Sequence, residues 1–382
     1  MNVLIIKNDP TIINSIGTGS LQRHITYANS LKKLFVVTKT IGGSSKILYP
    51  TENFEIHPTA LKHKCFFTPI AFKLANEIIK KNTIDVIITQ DPFECGLIGY
   101  VLSKKYKIPL SVELRADIID NFFYLKEKFI NLIFNQLGKF ILKKADTIDV
   151  GTFYEKKKLI SFFKIPEHKI LVIPTPINFN SFLQEFNDEI RNFYLNKGFD
   201  KIVLSVGRIE KQKDFPTLLK SAKIIIKSFP KTLFLIVGEG SNLLHLKKIV
   251  QTQFFEKNII FTGFISYNEI PKYYAACDVF VMSSVYEGTS KTLQEAGVTK
   301  KPCITTNFAG ANEVIINNQT GFVVPIKNFK TLAEKIIYLL QNSDIAQKMG
   351  NDSKEYILNK FSEKKNIEKY IEKIFFTGKI KK

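Results

Sequence analysis

Two glutamates eight positions apart, Glu287 and Glu295, stand in the segment Ser284-Val-Tyr-Glu287-Gly-Thr-Ser-Lys-Thr-Leu-Gln-Glu295-Ala-Gly. Just upstream, 277–284 reads as a buried parallel strand, because apolar and β-branched residues run on without alternation. Just downstream, 291–299 has helical composition. Glu287 therefore falls in the loop at the C-terminal end of a strand, and Glu295 on the helix that follows. Open parallel sheets bind ligands at that edge. The free N–H groups of the helix start, near Ser290, Lys291 and Thr292, suit a phosphate. One carboxylate then faces a sugar beside the phosphate while the other accepts from a ribose diol. The same spacing fits a plainer arrangement, since Thr292-x-x-Glu295 is also a capping box in which Glu295 reaches back to its own helix N-terminus.

A second cationic motif belongs to the same edge. Ser205-Val-Gly-Arg208-Ile-Glu-Lys211-Gln-Lys213-Asp214-Phe follows a strand over 201–206. Gly207 permits a tight exit, and Arg208 and Lys213 then stand over the strand ends. A guanidinium fork and an ammonium suit a diphosphate, the first by bidentate geometry and the second as a point charge. Against this, 55 residues of the chain are Lys or Arg, and most lysines and arginines only solvate a surface.

The elements that must position these groups repeat in a regular order. In the first part come a strand over 3–6, the loop Gly17-Thr-Gly19-Ser20, a helix over 21–31, a strand over 34–38 and a helix over 71–81. Strands over 85–89 and 110–114 flank a helix over 95–105, and 145–150 and 170–173 continue the sheet. Pro174-Thr-Pro176 and the polar stretch 178–200 mark a boundary. The pattern then restarts with strands over 201–206, 233–237 and 259–262 and helices over 214–229, 243–253 and 268–276. A strand over 302–305 and helices over 329–342, 344–359 and 362–376 close the chain. Alternation of this kind implies parallel sheets. At 382 residues, 45% hydrophobic and 24% charged, the chain suits two globular domains. The expected fold is α/β, with two Rossmann-like doubly wound domains facing across a cleft. The first spans 1–182, with the helix at about 362–376 packing back on it, and the second spans 183–361.

Several classes are excluded. The scattered cysteines Cys65, Cys95, Cys277 and Cys303 have no paired spacing and read as buried hydrophobes in a reducing compartment. Met1-Asn-Val-Leu-Ile-Ile-Lys is too short an apolar run for a signal peptide, and no stretch approaches the ~20 apolar residues of a membrane span. Gly17-Thr-Gly19-Ser-Leu-Gln22 lacks the third glycine of the NAD fingerprint, and no Walker lysine follows a glycine loop. His24, nearest that loop, reads as a helix-face residue. The net charge of +20 is spread over both halves without a compact basic, aromatic-interleaved stretch, which argues against nucleic acid.

The ordered motifs carry a resemblance. Ser-Val-Gly-Arg208-x-x-x-x-Lys213, Val237-Gly238-Glu-Gly240, Ile260-Phe-Thr-Gly263-Phe264 and Glu287-Gly-x6-Glu295-Ala are similar to the large retaining family of GT-B glycosyltransferases, group 1 / family 4. So are Lys301-Pro-Cys-Ile-Thr-Thr-Asn-Phe-Ala-Gly310-Ala-Asn-Glu313 and Gln319-Thr-Gly321-Phe-Val-Val324. The resemblance implies a nucleotide-sugar donor on the second domain and a glycan or lipid-linked acceptor on the first, in cell-surface polysaccharide assembly. It implies Glu287, Arg208 and Lys213 as catalytic residues. Donor contacts would come from Glu295, Ser290, Lys291, Thr292, Gly238 and Phe264, with Gly17 and Gly19 at the glycine-rich loop. Gln90 and Arg115 stand where family members often carry acceptor-side histidines. No Asp-x-Asp pair occurs, so no metal and no cofactor is expected, and cationic side chains would neutralise the diphosphate. The rivals are a nucleotide-sugar epimerase of the same architecture and a basic nucleic-acid-binding protein.

The segment 122–144 stands apart as a long, aromatic-rich, basic helix whose apolar residues nearly encircle it. It fits either a packed helix with solvated lysines or one that lies in an anionic bilayer interface. The expected location is cytoplasmic, peripheral on the inner face of the membrane if the second reading holds.

Overall fold

The computed structural model describes residues 1–13, 19–252 and 255–380. Gly17 lies outside the described residues. The chain divides into two compact units, Met1–Pro176 with Glu363–Lys382, and Ile177–Ser362.

Unit 1 is built on a sheet of eight strands: β1 (Asn2–Lys7), β2 (Lys33–Thr38), β3 (Leu48–Thr51), β4 (Phe54–Pro58), β5 (Val86–Thr89), β6 (Leu110–Leu114), β7 (Thr147–Val150) and β8 (Ile170–Val172). Their order is β3-β4-β2-β1-β5-β6-β7-β8, parallel throughout except for β3 against β4. The central strands are buried on both faces, which is why they read as unbroken apolar runs. Chain order turns back between β1 and β5, the switch point at which such sheets receive ligands. The helix Glu363–Lys379 belongs to this unit; Tyr370 stacks on Tyr27 with ring centroids 4.3 Å apart, and Ile374 is buried beside Ile173.

Unit 2 has six parallel strands: β9 (Lys201–Val206), β10 (Thr232–Val237), β11 (Ile259–Gly263), β12 (Val279–Met282), β13 (Cys303–Thr306) and β14 (Gly321–Val324). Their order is β11-β10-β9-β12-β13-β14, so the switch point lies between β9 and β12.

Four expectations need correction. The division falls at 176/177 rather than 182/183, because Ile177, Phe179 and Phe182 are buried in the core of unit 2, with Phe182 against Tyr267 and Tyr274. The polar stretch 178–200 holds a helix, Glu189–Leu195, whose Tyr194 enters the same core. Cys65 is exposed, while the other three cysteines are buried. The segment 122–144 is two helices, Phe122–Glu127 and Ile130–Lys144, broken where Lys128 turns to extended backbone. Asparagines make the break: Asn121 caps the first helix, the Asn131 amide donates to the Tyr124 carbonyl at 2.6 Å, and Asn135 brackets Asp120 through backbone and side chain. The sheet partner β4 and the helix Phe153–Phe163 were not anticipated from the sequence.

Candidate active site

The strands β9, β10, β11 and β12 of unit 2 end at one edge, and each delivers a piece of the expected site. Backbone hydrogen bonds join the exits of β9 and β10, Gly207 N–H to Val237 O at 3.0 Å and Ile209 N–H to Glu239 O at 2.8 Å. So close an approach requires glycine. At Gly238, with φ +133°, a Cβ would stand 2.1 Å from the Gly207 carbonyl oxygen. Gly238 therefore sets the backbone spacing beneath the site. Gly207 leaves room on its other side for the Lys213 stem, whose Cε would lie 3.1 Å from a Cβ there.

Lys213 and Glu287 meet across the switch point. The Lys213 ammonium lies 2.6 Å from Glu287 Oε1, both side chains largely buried, and Ser284 Oγ donates to the same oxygen at 3.3 Å. The β9 and β12 loops are latched together around this pair. Val285 N–H donates to the Gln212 carbonyl at 2.9 Å, and the Gln212 amide donates to the Tyr286 carbonyl at 2.9 Å. Ser283 Oγ donates to the carbonyls of Lys213 and Asp214 at 2.8 and 3.0 Å. From β13, Thr306 Oγ1 donates to the Ser284 carbonyl. Sequence reasoning missed Gln212, Ser283 and Thr306; the one signal for them was a pair of serines where a buried apolar strand gives out.

Arg208 is exposed on the same edge and forms no ion pair among the described residues. Phe264, after Gly263 at the end of β11, is 74% exposed, and its N–H donates to Glu239 Oε1 at 3.4 Å. An exposed aromatic face, a free guanidinium and a held carboxylate thus follow one another along the edge from β11 to β12.

The helix Lys291–Val298 begins beside them, capped by Ser290, whose Oγ accepts from Leu293 N–H at 3.4 Å. Ser290 is buried, so its hydroxyl serves its own helix, and Thr292 Oγ1 lies 3.1 Å from it. Lys291 is exposed and Thr292 half-buried. The alternative capping box is absent: Glu295 turns inward, and Oε2 accepts from the Tyr274 hydroxyl at 2.9 Å. Burial pushes the Glu295 carboxyl up from the usual range, opposed first by that hydrogen bond. Tyr274 was not anticipated, since a tyrosine in an apolar stretch reads as core.

In unit 1, Gln90 stands at the switch point, where its Oε1 accepts from Asn8 N–H at 3.1 Å. Gly19 opens the helix Gly19–Asn29. Arg115 is placed otherwise than expected. Its Nη2 meets Asp149 at 2.7 Å, Nη1 donates to the Ile173 carbonyl at 2.7 Å, and Nε lies 3.3 Å from Glu113. With Nε committed to its own strand and the other two nitrogens to β7 and the end of β8, Arg115 ties the sheet together rather than presenting its charge outward. His24 is a buried helix residue, Nδ1 lying 2.7 Å from the Ser20 carbonyl oxygen. Among the described residues no three His, Cys, Asp or Glu side chains cluster as a metal site needs.

Comparison with known proteins identifies the family and the fold. The sequence matches the family described as Glycosyl transferases group 1 over residues 186–356 and Glycosyltransferase Family 4 over residues 33–181. It is 26% identical over 298 residues to the UDP-Gal:alpha-D-GlcNAc-diphosphoundecaprenol alpha-1,3-galactosyltransferase of Escherichia coli, covering 77% of this chain and 76% of that one. It is 28% identical over 288 residues to the capsular polysaccharide biosynthesis glycosyltransferase CapM of Staphylococcus aureus, covering 72% and 73%. The fold matches that of Anabaena HepE, solved in complex with UDP, with a TM-score of 0.77 over 98% of this chain and all of that one, at 16% identity. The two family matches, one over each of two parallel-sheet units whose fold is of the GT-B type, make this chain a member of the group 1 / family 4 glycosyltransferases.

Proposed function

We propose that this enzyme transfers a sugar, with retention of configuration, from a nucleotide-sugar donor bound by unit 2 to a glycan or lipid-linked acceptor recognised by unit 1. The setting is cell-surface polysaccharide assembly on the cytoplasmic side of the membrane. The observation that carries the reading is the Lys213–Glu287 pair held at 2.6 Å on the unit 2 switch point, with exposed Arg208 and Phe264 along the same edge. As the bond from the sugar to the diphosphate breaks, negative charge gathers on the phosphate. Lys213 and Arg208 stabilise it there, the ammonium as a point charge and the guanidinium by two parallel hydrogen bonds. Glu287 accepts from the sugar hydroxyls. Phe264 stacks on the base. Glu295, with Oε2 committed to Tyr274, receives the ribose through Oε1.

The acceptor oxygen attacks on the face the phosphate leaves, its proton passing to the departing phosphate oxygen. No side-chain nucleophile and no metal take part in this scheme. The E. coli relative is named for a diphosphoundecaprenol-linked acceptor and CapM for capsular polysaccharide, and HepE was solved with UDP, all of which support the reading.

The test is a panel of nucleotide sugars, UDP-hexoses first, read by thermal stabilisation and then by transfer. A donor at a hundredfold its Kd stabilises by about 2.7 kcal/mol. No stabilisation by any donor, an inverted anomer in the product, or release of free nucleotide with a rearranged sugar and no acceptor would each sink the proposal. Activity is expected to survive EDTA; complete loss restored by Mn²⁺ or Mg²⁺ would remove the metal-free scheme.

A further inference from the structure

The break in the segment 122–144 leaves a helix whose first part is inverted. In Ile130–Lys144 the buried residues are Asn131, Asn135 and Gly138 over the first part and Ile141 and Leu142 near its end, while Ile130, Leu132 and Ile133, with Phe129 just before the helix, face out. Phe129 is 80% exposed and Ile133 55%. The inversion is locked. The Asn131 amide and both side-chain atoms of Asn135 hold the turn between the two helices, and at Gly138 a Cβ would stand 2.9 Å from Phe93 Cε1. A helix meant for water would carry its asparagines outside and its isoleucines inside. The first part of this one spends its asparagines on the corner and presents Ile130, Leu132 and Ile133 to whatever lies beyond.

Charge identifies what lies beyond. The two helices and the break between them carry Lys126, Lys128, Lys139, Lys143 and Lys144 against one acid, Glu127. The nearby Asp120 is paired with Lys139 at 2.6 Å. The Lys126 ammonium lies 4.0 Å from the Phe122 ring centroid, so cation and aromatic sit together at the exposed end. Apolar residues flanked by lysines, on helices too short to span, match the interface of an anionic bilayer: rings and aliphatics at the acyl boundary, ammonium groups at the lipid phosphates. Among the described residues no helix is long and apolar enough to cross.

We infer that the corner formed by Phe122–Glu127 and Ile130–Lys144 is a docking surface for an anionic membrane. It lies in unit 1 and uses no residue of the donor site, so it stands or falls independently of the proposed reaction.

The test is co-sedimentation of the full chain, without nucleotide or acceptor, with vesicles of phosphatidylcholine alone and of equal parts phosphatidylcholine and phosphatidylglycerol. Pelleting is expected only with the anionic vesicles, and less of it at high salt. Phe129→Ser with Ile133→Ser should weaken it at least roughly tenfold, since two exposed apolar side chains lose their burial in lipid. Each of Lys126→Gln and Lys128→Gln should weaken it roughly fivefold. All four positions are exposed, and unchanged melting of the variants shows that folding is intact. Equal pelleting with both vesicle types, pelleting with neither, or variants that pellet like the wild type overturns the inference. So does a dimer that the serine variant dissociates while vesicles are ignored, which would assign the face to a second copy.

Discussion

Lys213 and Glu287 neutralise one another across 2.6 Å, and that mutual grip bears on how the site is tested. Each fixes the other's position, and the loop latch around Gln212 and Ser283 fixes both. Removing one charge-assisted partner costs roughly ten- to a hundredfold in kcat/KM. Glu287→Gln is expected to lower kcat more than it weakens nucleotide binding, whereas Arg208→Ala and Lys213→Ala weaken both. Because Lys213 and Glu287 act as a unit, Lys213→Ala combined with Glu287→Gln should cost clearly less than the product of the single losses. Steady-state kinetics of the four proteins decide it, and strict multiplicativity would mean that the two residues work separately. A fully active Glu287→Gln would move the site elsewhere.

At the scale of elements, the exits of β9 and β10 depend on Gly238. Alanine there meets the Gly207 carbonyl at 2.1 Å in a backbone conformation with φ +133°. The strand ends must separate, and the expected loss of stability exceeds about 2 kcal/mol. Gly19→Ala, whose Cβ would have nothing within 4 Å among the described residues, is the control and should change stability by no more than about 1 kcal/mol. Chemical denaturation compares the two.

The helix Phe153–Phe163 gives a pH-dependent case. Its capping-box residue Glu155 accepts through Oε2 from Gly151 N–H and from the Thr152 N–H and hydroxyl, each at 3.0 Å. Burial pushes its carboxyl up to about 8 from 4.5. The folded state thus holds a proton that the unfolded chain releases above 4.5, so this contribution to stability is full at lower pH and is lost as pH rises toward 8. Glu155→Gln should flatten the fall in Tm between pH 5 and 8. An unchanged slope would show that the carboxyl is ionised in the fold.

At the scale of the molecule, the last helix is fastened to unit 1 by charge. Lys373, wholly buried, lies 3.0 Å from Asp149 and 3.7 Å from Glu113, and the Tyr370 hydroxyl donates to Glu113 at 2.7 Å. Burial opposes the Glu113 charge, but Arg115 and Lys373 outweigh it and hold its carboxyl well below the usual range. Lys373→Met leaves two buried carboxylates facing Arg115 alone, at a cost of about 3–5 kcal/mol. Unit 1 should therefore unfold earlier while nucleotide affinity, assigned to unit 2, stays unchanged. Calorimetry with and without a bound donor separates the two effects, and an equal loss of nucleotide affinity would contradict that assignment.

The strands, and the strand ends at which Glu287, Lys213 and Arg208 stand, were legible because they rest on local rules. An unbroken apolar run such as 277–284 reads as a strand sheathed on both faces, and glycine, arginine and lysine after a strand end read as an anion site. Glu287, Lys213 and Arg208 were named from residue type and spacing, and Phe264 from the family resemblance. What only the tertiary structure decided are matters of partnership, because a residue's type does not say which distant atom will stand beside it. Arg115 could face a ligand or a carboxylate, and Asp149, 34 positions away, claims it. Glu295 could cap its helix, and Tyr274 takes its oxygen instead. The asparagines of 122–144 gave no sign of turning inward. Their hydrogen bonds to Tyr124 and Asp120 exist only once the chain has folded back, and that return breaks the helix and sets its apolar side outward.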